Sequence, residues 1–509
     1  VSPVGTGDNF FSLGGDSIIT IQVSGRARKA GYDVRPRDIF RYQTVSLLAT
    51  AVTGRTAGAV TSEQGLLSGE SGLLPIQRWY FEGLGDGAPL SHYNQSMLFR
   101  LGRGVPSGVV RTAVGALVGR HDALRFRYEL KDGAWRQYYG EHLPELEEEE
   151  MTGAGGSSLE GWIEETCGRY QRSLDIERGR VCRFVLLRTG GHDAADRLLV
   201  VVHHLAVDGV SWRVLEDDLR RLLEGGADLG SKGSSCREWY LGLEGYAGSA
   251  RLQGQAGYWQ GISEKGMRLP DEGPTGGSGW SVVRMVLDRD GTSALLQGAG
   301  PAYNTEINDL LLSALYRTLG GWSGLDGIVI GLEGHGREEA VAPGIDLGHT
   351  VGWFTSLYPV LLEGGYADTG DLVKGTKEML RRVPDKGLGY GVLRYICGRD
   401  GLSGDPWDVV FNYLGQFGGS ADGGSLLSHS REGRGPETGE GHRFGGGMVV
   451  NSAVQDGVFE VYWGYDRGRY HPSTAEGLCA RYLEVLNEII SHCLEVSASG
   501  GRPTPSDYG

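Results

Sequence analysis

The sequence predicts a small α-helical bundle followed by a two-lobed α/β domain. Three observations carry this. The chain has 509 residues, more than one hydrophobic core normally serves. A stretch rich in Gly, Ser and Thr over residues 52–72 separates a short N-terminal part from the rest, with the composition of a linker. Beyond it, helical and strand periodicities alternate in two successive cycles.

Each part has its own pattern. In the N-terminal unit, Phe10 and Phe11 anchor a loop, and Gly14-Gly15-Asp16-Ser17 opens a helix carrying Ile18, Ile19, Ile21 and Val23 that ends by Gly31. In the first cycle, residues 109–119 have helical spacing and 124–130 alternate as a strand. Residues 198–202 form a continuous apolar run, the pattern of a strand buried on both faces. Ser211 then starts a helix with Trp212, Leu215, Leu219 and Leu222 on one side. The second cycle places a helix over 308–319 and strands over 328–332 and 409–414, with a seam between the cycles near 245–275. The expected divisions are 1–51, 52–72 and 73–495, the last with lobes at about 73–250 and 251–495, and a C-terminal linker over 496–509.

Composition excludes several classes. Net charge is −15, from 49 basic and 64 acidic side chains, which disfavours nucleic acid and anionic membrane as partners. The acidic run Glu147–Glu150 reads as a solvated helix or loop face. No stretch is apolar for long enough to span a membrane. The N-terminus lacks a secretory pattern, so a cytoplasmic protein is expected. Six cysteines stand far apart without a C-x-x-C pair, so neither zinc nor a disulfide framework is suggested, and no metal site is expected. Glycine is abundant, at 87 residues, without a repeating period.

Ser17 stands at the start of the predicted first helix, where serine serves well as an N-cap. It also sits in D-N-F-F-S-L-G-G-D-S-I (8–18), which resembles the carrier-protein motif of nonribosomal peptide synthetases. The resemblance implies that Ser17 bears a covalent 4′-phosphopantetheine, attached by a phosphopantetheinyl transferase. The physics agrees. Two glycines admit a close approach to the backbone, and a helix N-terminus favours the negative charge of a phosphodiester. Carrier domains usually have a helix before this loop. Only seven residues precede Asp8, so the carrier is expected to lack its first helix.

His203 and His204 end the apolar strand and enter H-H-L-A-V-D-G-V-S-W (203–212). Adjacent strand residues point to opposite faces, so only one of the two can face a given cavity. The stretch resembles the H-H-x-x-x-D-G motif of the condensation and epimerization superfamily, related in fold to chloramphenicol acetyltransferase. The resemblance makes His204 catalytic, with His203 in support, and Asp208 structural and held by an arginine. Arg125, in R-H-D-A-L-R (120–125), resembles a further superfamily motif and is a candidate partner for Asp208.

The histidine motif does not separate peptide-bond formation from epimerization. Five further segments resemble the epimerization branch: L-P-I-Q-R-W-Y-F (74–81), E-G-H-G-R-E (333–338), T-V-G-W-F-T (350–355), G-L-G-Y-G (387–391) and F-N-Y-L-G-Q (411–416). Inverting an α-carbon requires a proton to leave one face and another to arrive on the opposite face. Two acid/base groups meet that need, and His204 and Glu333, from different halves, would flank the carbon. Glu333 needs burial to raise its pKa into range. By resemblance, Asn412 and Tyr413 are candidate donors to the substrate carbonyl, and Arg337 shapes the Glu333 loop. The expectation is epimerization of an L-aminoacyl or peptidyl thioester, with an upstream adenylation domain and a downstream condensation domain as partners. The final T-P-S-D-Y (504–508) resembles a link to a following module. A condensation domain and a non-catalytic platform for docking carriers are the alternatives. A second acid/base group at Glu333 counts against the first, and intact His204 and Glu333 count against the second.

Overall fold

The computed structural model describes residues 4–53, 62–85, 89–102, 104–151, 158–226, 228–266, 268–417, 426–439, 441–442 and 446–508, without the side chains of Ser17 and Lys29. The N-terminal unit has three helices, α1 (Ser17–Lys29), α2 (Pro36–Arg41) and α3 (Val45–Val52). Val34, Ile39 and Val52 form its small core, with Phe10 packed against them. Asp16, not Ser17, caps α1: its side chain accepts from the N–H groups of Ile18 and Ile19. Ser17 is the first helical residue.

The large domain begins with β1 (Gly69–Glu70), α4 (Pro75–Glu82), β2 (Asn94–Gly102), α5 (Ser107–Arg120), β3 (Phe126–Lys131), β4 (Ala134–Tyr139) and β5 (Leu146–Glu150). It continues through α6 (Leu159–Gln171), β6 (Cys182–Arg188), β7 (Ala195–His203) and α7 (Gly209–Leu223). After three further helices come β8 (Trp280–Leu287), β9 (Gly327–Gly334), β10 (Ser356–Glu363), β11 (Val409–Phe417), β12 (Leu427–His429), β13 (Met448–Gln455) and β14 (Val458–Asp466). The first lobe is built on a five-stranded sheet ordered β12-β2-β7-β6-β5, with a small sheet β1-β4-β3 beside it. The second lobe is built on a six-stranded sheet ordered β10-β9-β11-β13-β14-β8. One apolar cluster runs through both lobes, from Leu67 to Val496.

The apolar run over 198–202 is the middle of β7, buried along nearly its whole length between β2 and β6. Three expectations need correction. The run Glu147–Glu150 is neither helix nor loop. It belongs to edge strand β5, parallel to β6, whose exposed side tolerates charge and whose arginines answer it: Arg183 pairs with Glu147 at 3.0 Å. The α7 helix starts two residues before Ser211, capped by Asp208. Finally, the lobes are not two consecutive segments. Strand β12 leaves the second lobe and pairs antiparallel with β2, completing the first lobe's sheet.

The expected linkers are also bound. Residues 54–61 lie outside the described residues, but Ser62 bonds to the Lys232 carbonyl, Glu63 pairs with Arg237 at 2.6 Å, and Leu67 is buried. At the other end, Asp507 takes Lys377, a lysine with only 1% of its side chain exposed, at 2.7 Å. Among the described residues, no helix is long and apolar enough to cross a membrane and no side-chain cluster could hold a metal ion.

Candidate active site

His203 ends β7 and His204 opens the short 3-10 turn that follows, and the two rings part company there. The His203 ring is fully buried. One nitrogen lies 3.1 Å from the Leu90 carbonyl, the other accepts from the Leu205 N–H, and burial lowers its pKa to about 3. It is a neutral structural residue.

His204 is held by four groups. Its backbone N–H donates to the Tyr93 carbonyl at 2.8 Å. Its ring lies between Tyr93, at 5.2 Å and nearly parallel, and Trp353, at 4.3 Å. Nδ1 is 2.9 Å from the Val207 carbonyl and Nε2 is 3.0 Å from the Gln95 amide nitrogen. These contacts fix the tautomer. The Trp212 indole N–H can only donate, and it donates to Gln95 Oε1 at 2.7 Å. The Gln95 amide therefore turns its NH₂ to His204, so Nε2 carries the lone pair and Nδ1 the hydrogen. Burial lowers the His204 pKa and keeps the ring neutral, against the opposing pull of the Val207 carbonyl.

Glu333 comes from the second lobe, near the end of β9. The register of β9 and β11 pairs Leu332 with Phe411, which sets Glu333 beside Asn412 on one face. The Asn412 amide donates to Glu333 Oε2 at 2.7 Å. Burial outweighs this bond and lifts the carboxyl pKa to about 7. Tyr93 connects the two groups: its ring stacks on His204, and its phenol is pushed up first by burial and then by the charge of Glu333. A neutral imidazole from one lobe and a carboxyl held up near neutrality from the other thus both border Tyr93.

Asp208 and Arg337 join the lobes below this pair. Arg337 donates to both Asp208 oxygens, at 2.7 and 3.2 Å, and also to Ser211 Oγ and the Thr350 carbonyl. The N–H groups of Ser211 and Phe354 complete the carboxylate's shell. Burial alone would raise the Asp208 pKa, but Arg337 and these donors hold it below the ordinary value. Arg125 is not this partner. It pairs with Asp122 and with the carbonyls of Gly140 and Leu67, 83 residues before Asp208 in the chain. Arg337 ties the segment after Glu333 to the first lobe. Gly336 is required there: its φ is +66°, and a Cβ would stand 1.7 Å from the Phe354 carbonyl oxygen.

Helix α1 and the loop before it lie against the large domain. Arg28 pairs with Asp346 at 2.6 Å and Glu339 at 3.1 Å, Arg26 pairs with Asp217, and Gln416 donates to the Gly14 carbonyl. Tyr413, next to Asn412, has no hydrogen bond to Glu333 or His204. It is buried and its hydroxyl feels Asp16 and Arg213. Three polar atoms in this junction are buried without partners: Asp16 Oδ2, Arg213 Nη1 and Tyr413 Oη. Two donors left open beside the first residue of α1 fit an anionic linkage such as that of a phosphopantetheine arm on Ser17.

Gln95, Tyr93, Trp212 and Trp353 were not among the expected site residues. Trp212 reads in sequence only as part of an apolar helix face, and Trp353 only as part of a motif. The alternation of Tyr93 and Gln95 beside β7 is the signal that would have found them.

Two family models match the chain: "Phosphopantetheine attachment site" over residues 1–52 and "Condensation domain" over 68–500. A linear gramicidin synthase of Brevibacillus parabrevis is 38% identical over 100% of this chain and 10% of its own length. Surfactin synthase subunit 2 of Bacillus subtilis is 35% identical over 100% of this chain and 14% of its own length. The chain thus spans about a tenth of the curated relatives it matches. Among solved structures, the epimerization domain from the third module of tyrocidine synthetase B is similar with a TM-score of 0.77 and 33% identity, over 86% of this chain and 99% of that one. The first condensation domain of the CDA synthetase shares the fold, with a TM-score of 0.61 at 18% identity over 83% of this chain and 96% of that one. The chain belongs to the condensation-domain family of nonribosomal peptide synthetases, preceded by a phosphopantetheine attachment domain.

Proposed function

We propose that this chain inverts the α-carbon of an amino acid held as a thioester on an arm attached at Ser17. The observation that supports it is Glu333: a buried carboxyl poised near pH 7, contributed by the opposite lobe from neutral His204. Amide formation has no use for a second acid/base group on the far side of the substrate. Epimerization needs one.

Attached to Ser17, the arm supplies a thioester whose carbonyl acidifies the adjacent C–H. His204 Nε2, once the Gln95 amide gives way, takes the proton from one face. The Glu333 carboxyl delivers a proton to the other face, held toward the substrate by Asn412. Running the steps backward exchanges the roles, so either configuration is consumed and an L/D mixture results. Asp208 and Arg337 keep the lobes in register. The neighbours that fit are an upstream adenylation domain that loads the arm and a downstream condensation domain that takes the product, in the cytoplasm. The side chain accepted, and whether the substrate is aminoacyl or peptidyl, lie with those neighbours.

The test is direct. The full chain is loaded by a phosphopantetheinyl transferase with an L-aminoacyl coenzyme A, and the amino acid is released and resolved. A growing D fraction is expected. Retention of pure L would sink the proposal, and amide formation with a second loaded carrier would replace it with condensation. Intact mass should rise by one arm, and Ser17→Ala should abolish the rise.

A further inference from the structure

We infer that Arg213 and Tyr413 form the seat of the phosphodiester that joins a pantetheine arm to Ser17. The assignment rests on the reading of Ser17 as the attachment residue. A helix N-terminus usually receives an anion through its first N–H groups. In α1 those of Ile18 and Ile19 are already taken, both by Asp16 Oδ1, at 3.0 and 2.8 Å. An anion on Ser17 must therefore find its donors across the junction, in the large domain.

The donors are there and are not engaged. Arg213 projects from α7 and uses Nη2 twice, on the carbonyls of Leu414 and Gln416 at 3.1 and 3.0 Å. These bonds, and its stacking on the Phe417 ring at 4.7 Å, fix the guanidinium plane. Nη1 is left buried without a partner, and so is the hydroxyl of Tyr413, a residue only 8% exposed. A buried unsatisfied donor is costly, by about 1–3 kcal/mol. Asp16 Oδ2 lies nearby, also unpartnered, yet Arg213 does not close on it. Simple ion pairing between the two domains would have closed that gap.

The backbone makes room for a third group. Strand β11 breaks its register with β13 between Tyr413 and Gln416, and Gly415 turns there with φ of +81°. A Cβ on Gly415 would stand 2.8 Å from Arg213 Nη2, 3.2 Å from Ile18 and 3.3 Å from Asp16 Oδ2. The neighbours of Ser17 on both sides thus border this space. A phosphodiester has one negative charge and two free oxygens. One accepts from Arg213 Nη1 and the other from the Tyr413 hydroxyl, with no covalent change.

The test uses the full chain carrying an unloaded arm, followed by phosphorus NMR. In the wild type the phosphodiester resonance is expected to be shifted and as broad as the tumbling of the whole body dictates. Arg213→Gln should lower the anchored fraction about tenfold, narrowing the line, since a hydrogen bond to a charged group is lost. Tyr413→Phe, which keeps the charge balance, should narrow it less. A wild-type line as narrow as that of the unfolded chain would overturn the seat, and so would an identical line in Arg213→Gln. Hydrogen exchange of α1 in the chain without its arm is the control: equal loss of protection with and without the arm would reduce Arg213 to a docking contact. Absence of the arm by intact mass would refute Ser17 instead.

Discussion

Two aspartates in this protein do the same local job and meet opposite surroundings. Asp16 caps α1 and Asp208 caps α7, and each has an arginine beside it. Around Asp208 every oxygen is used: Arg337 takes both, and two backbone N–H groups fill the rest. Around Asp16 one oxygen is used and the other is buried and idle, while each arginine keeps one buried nitrogen without a partner, Nη1 in Arg213 and Nε in Arg337. The pKa values follow. Asp208 is held below its ordinary value because Arg337 and its donors outweigh burial, whereas burial prevails at Asp16 and raises it. A closed pair is a joint, and it locks the two lobes around His204 and Glu333. An open pair is a socket, completed only when something arrives.

Breaking the joint should have the largest effect. Arg337→Met strands a buried carboxylate and should lower unfolding stability by about 3–5 kcal/mol, read from urea denaturation. The wild-type contribution has a definite sign with pH. Asp208 has a depressed folded pKa, so its stabilisation is present above the unfolded carboxylate value and is lost as pH falls through the folded one. Acid should therefore erode wild type more steeply than Arg337→Met. A variant as stable as wild type would mean that the joint is not structural.

Between joint and socket stands the reacting pair, whose replacement is read in rate. Glu333→Gln should slow inversion about 10²–10⁴-fold. The wild-type rate should fall as pH rises through about 7, where Glu333 loses its proton, and fall again in acid as His204 gains one. The alkaline limb should vanish in the variant. Inversion near the wild-type rate would leave His204 as a single base and end the two-sided mechanism.

A smaller change tests the tautomer. Gln95→Leu removes the donor at His204 Nε2 and should slow inversion about tenfold, the scale of one hydrogen bond, while moving the acid limb of the profile. An unmoved profile would show that Gln95 only packs. The smallest effect belongs to the socket. Asparagine caps a helix as well as aspartate, so Asp16→Asn should change stability by less than about 1 kcal/mol. A loss as large as that of Arg337→Met would erase the contrast between the two pairs.

The candidate acid/base groups were legible because they stand in distinctive local sequence. A continuous apolar run before two histidines gives a buried strand, which ends at His203, and the turn that follows separates the His204 ring from it. Glu333 sits near the end of β9 and Asn412 within β11, each in recognisable surroundings. What escaped depends on distance in the chain. An arginine was expected on Asp208, but nothing local distinguishes Arg125 from Arg337, 129 residues further on. The three residues of β12 carry no period to announce a strand, and their partner lies more than 300 residues earlier. Glu147–Glu150 read as a solvated surface because charge density masks the alternation of an edge strand. The contacts of Arg26 and Arg28 with the large domain are equally invisible to any local pattern.

The crossing of β12 bears on how such assembly-line proteins can be recombined. A chimera cut at the seam near residue 250 looks natural, since one lobe ends and the other begins. Such a first lobe would lose β12, and with it the hydrogen bonds from residues 430–439 to the neighbourhood of β2. The freed edge of β2 would be an unprotected template for pairing with other chains. The transplantable piece is therefore not a contiguous half: residues 427–439 must come from the same parent as β2, or the hybrid is expected to aggregate before its chemistry can be assayed.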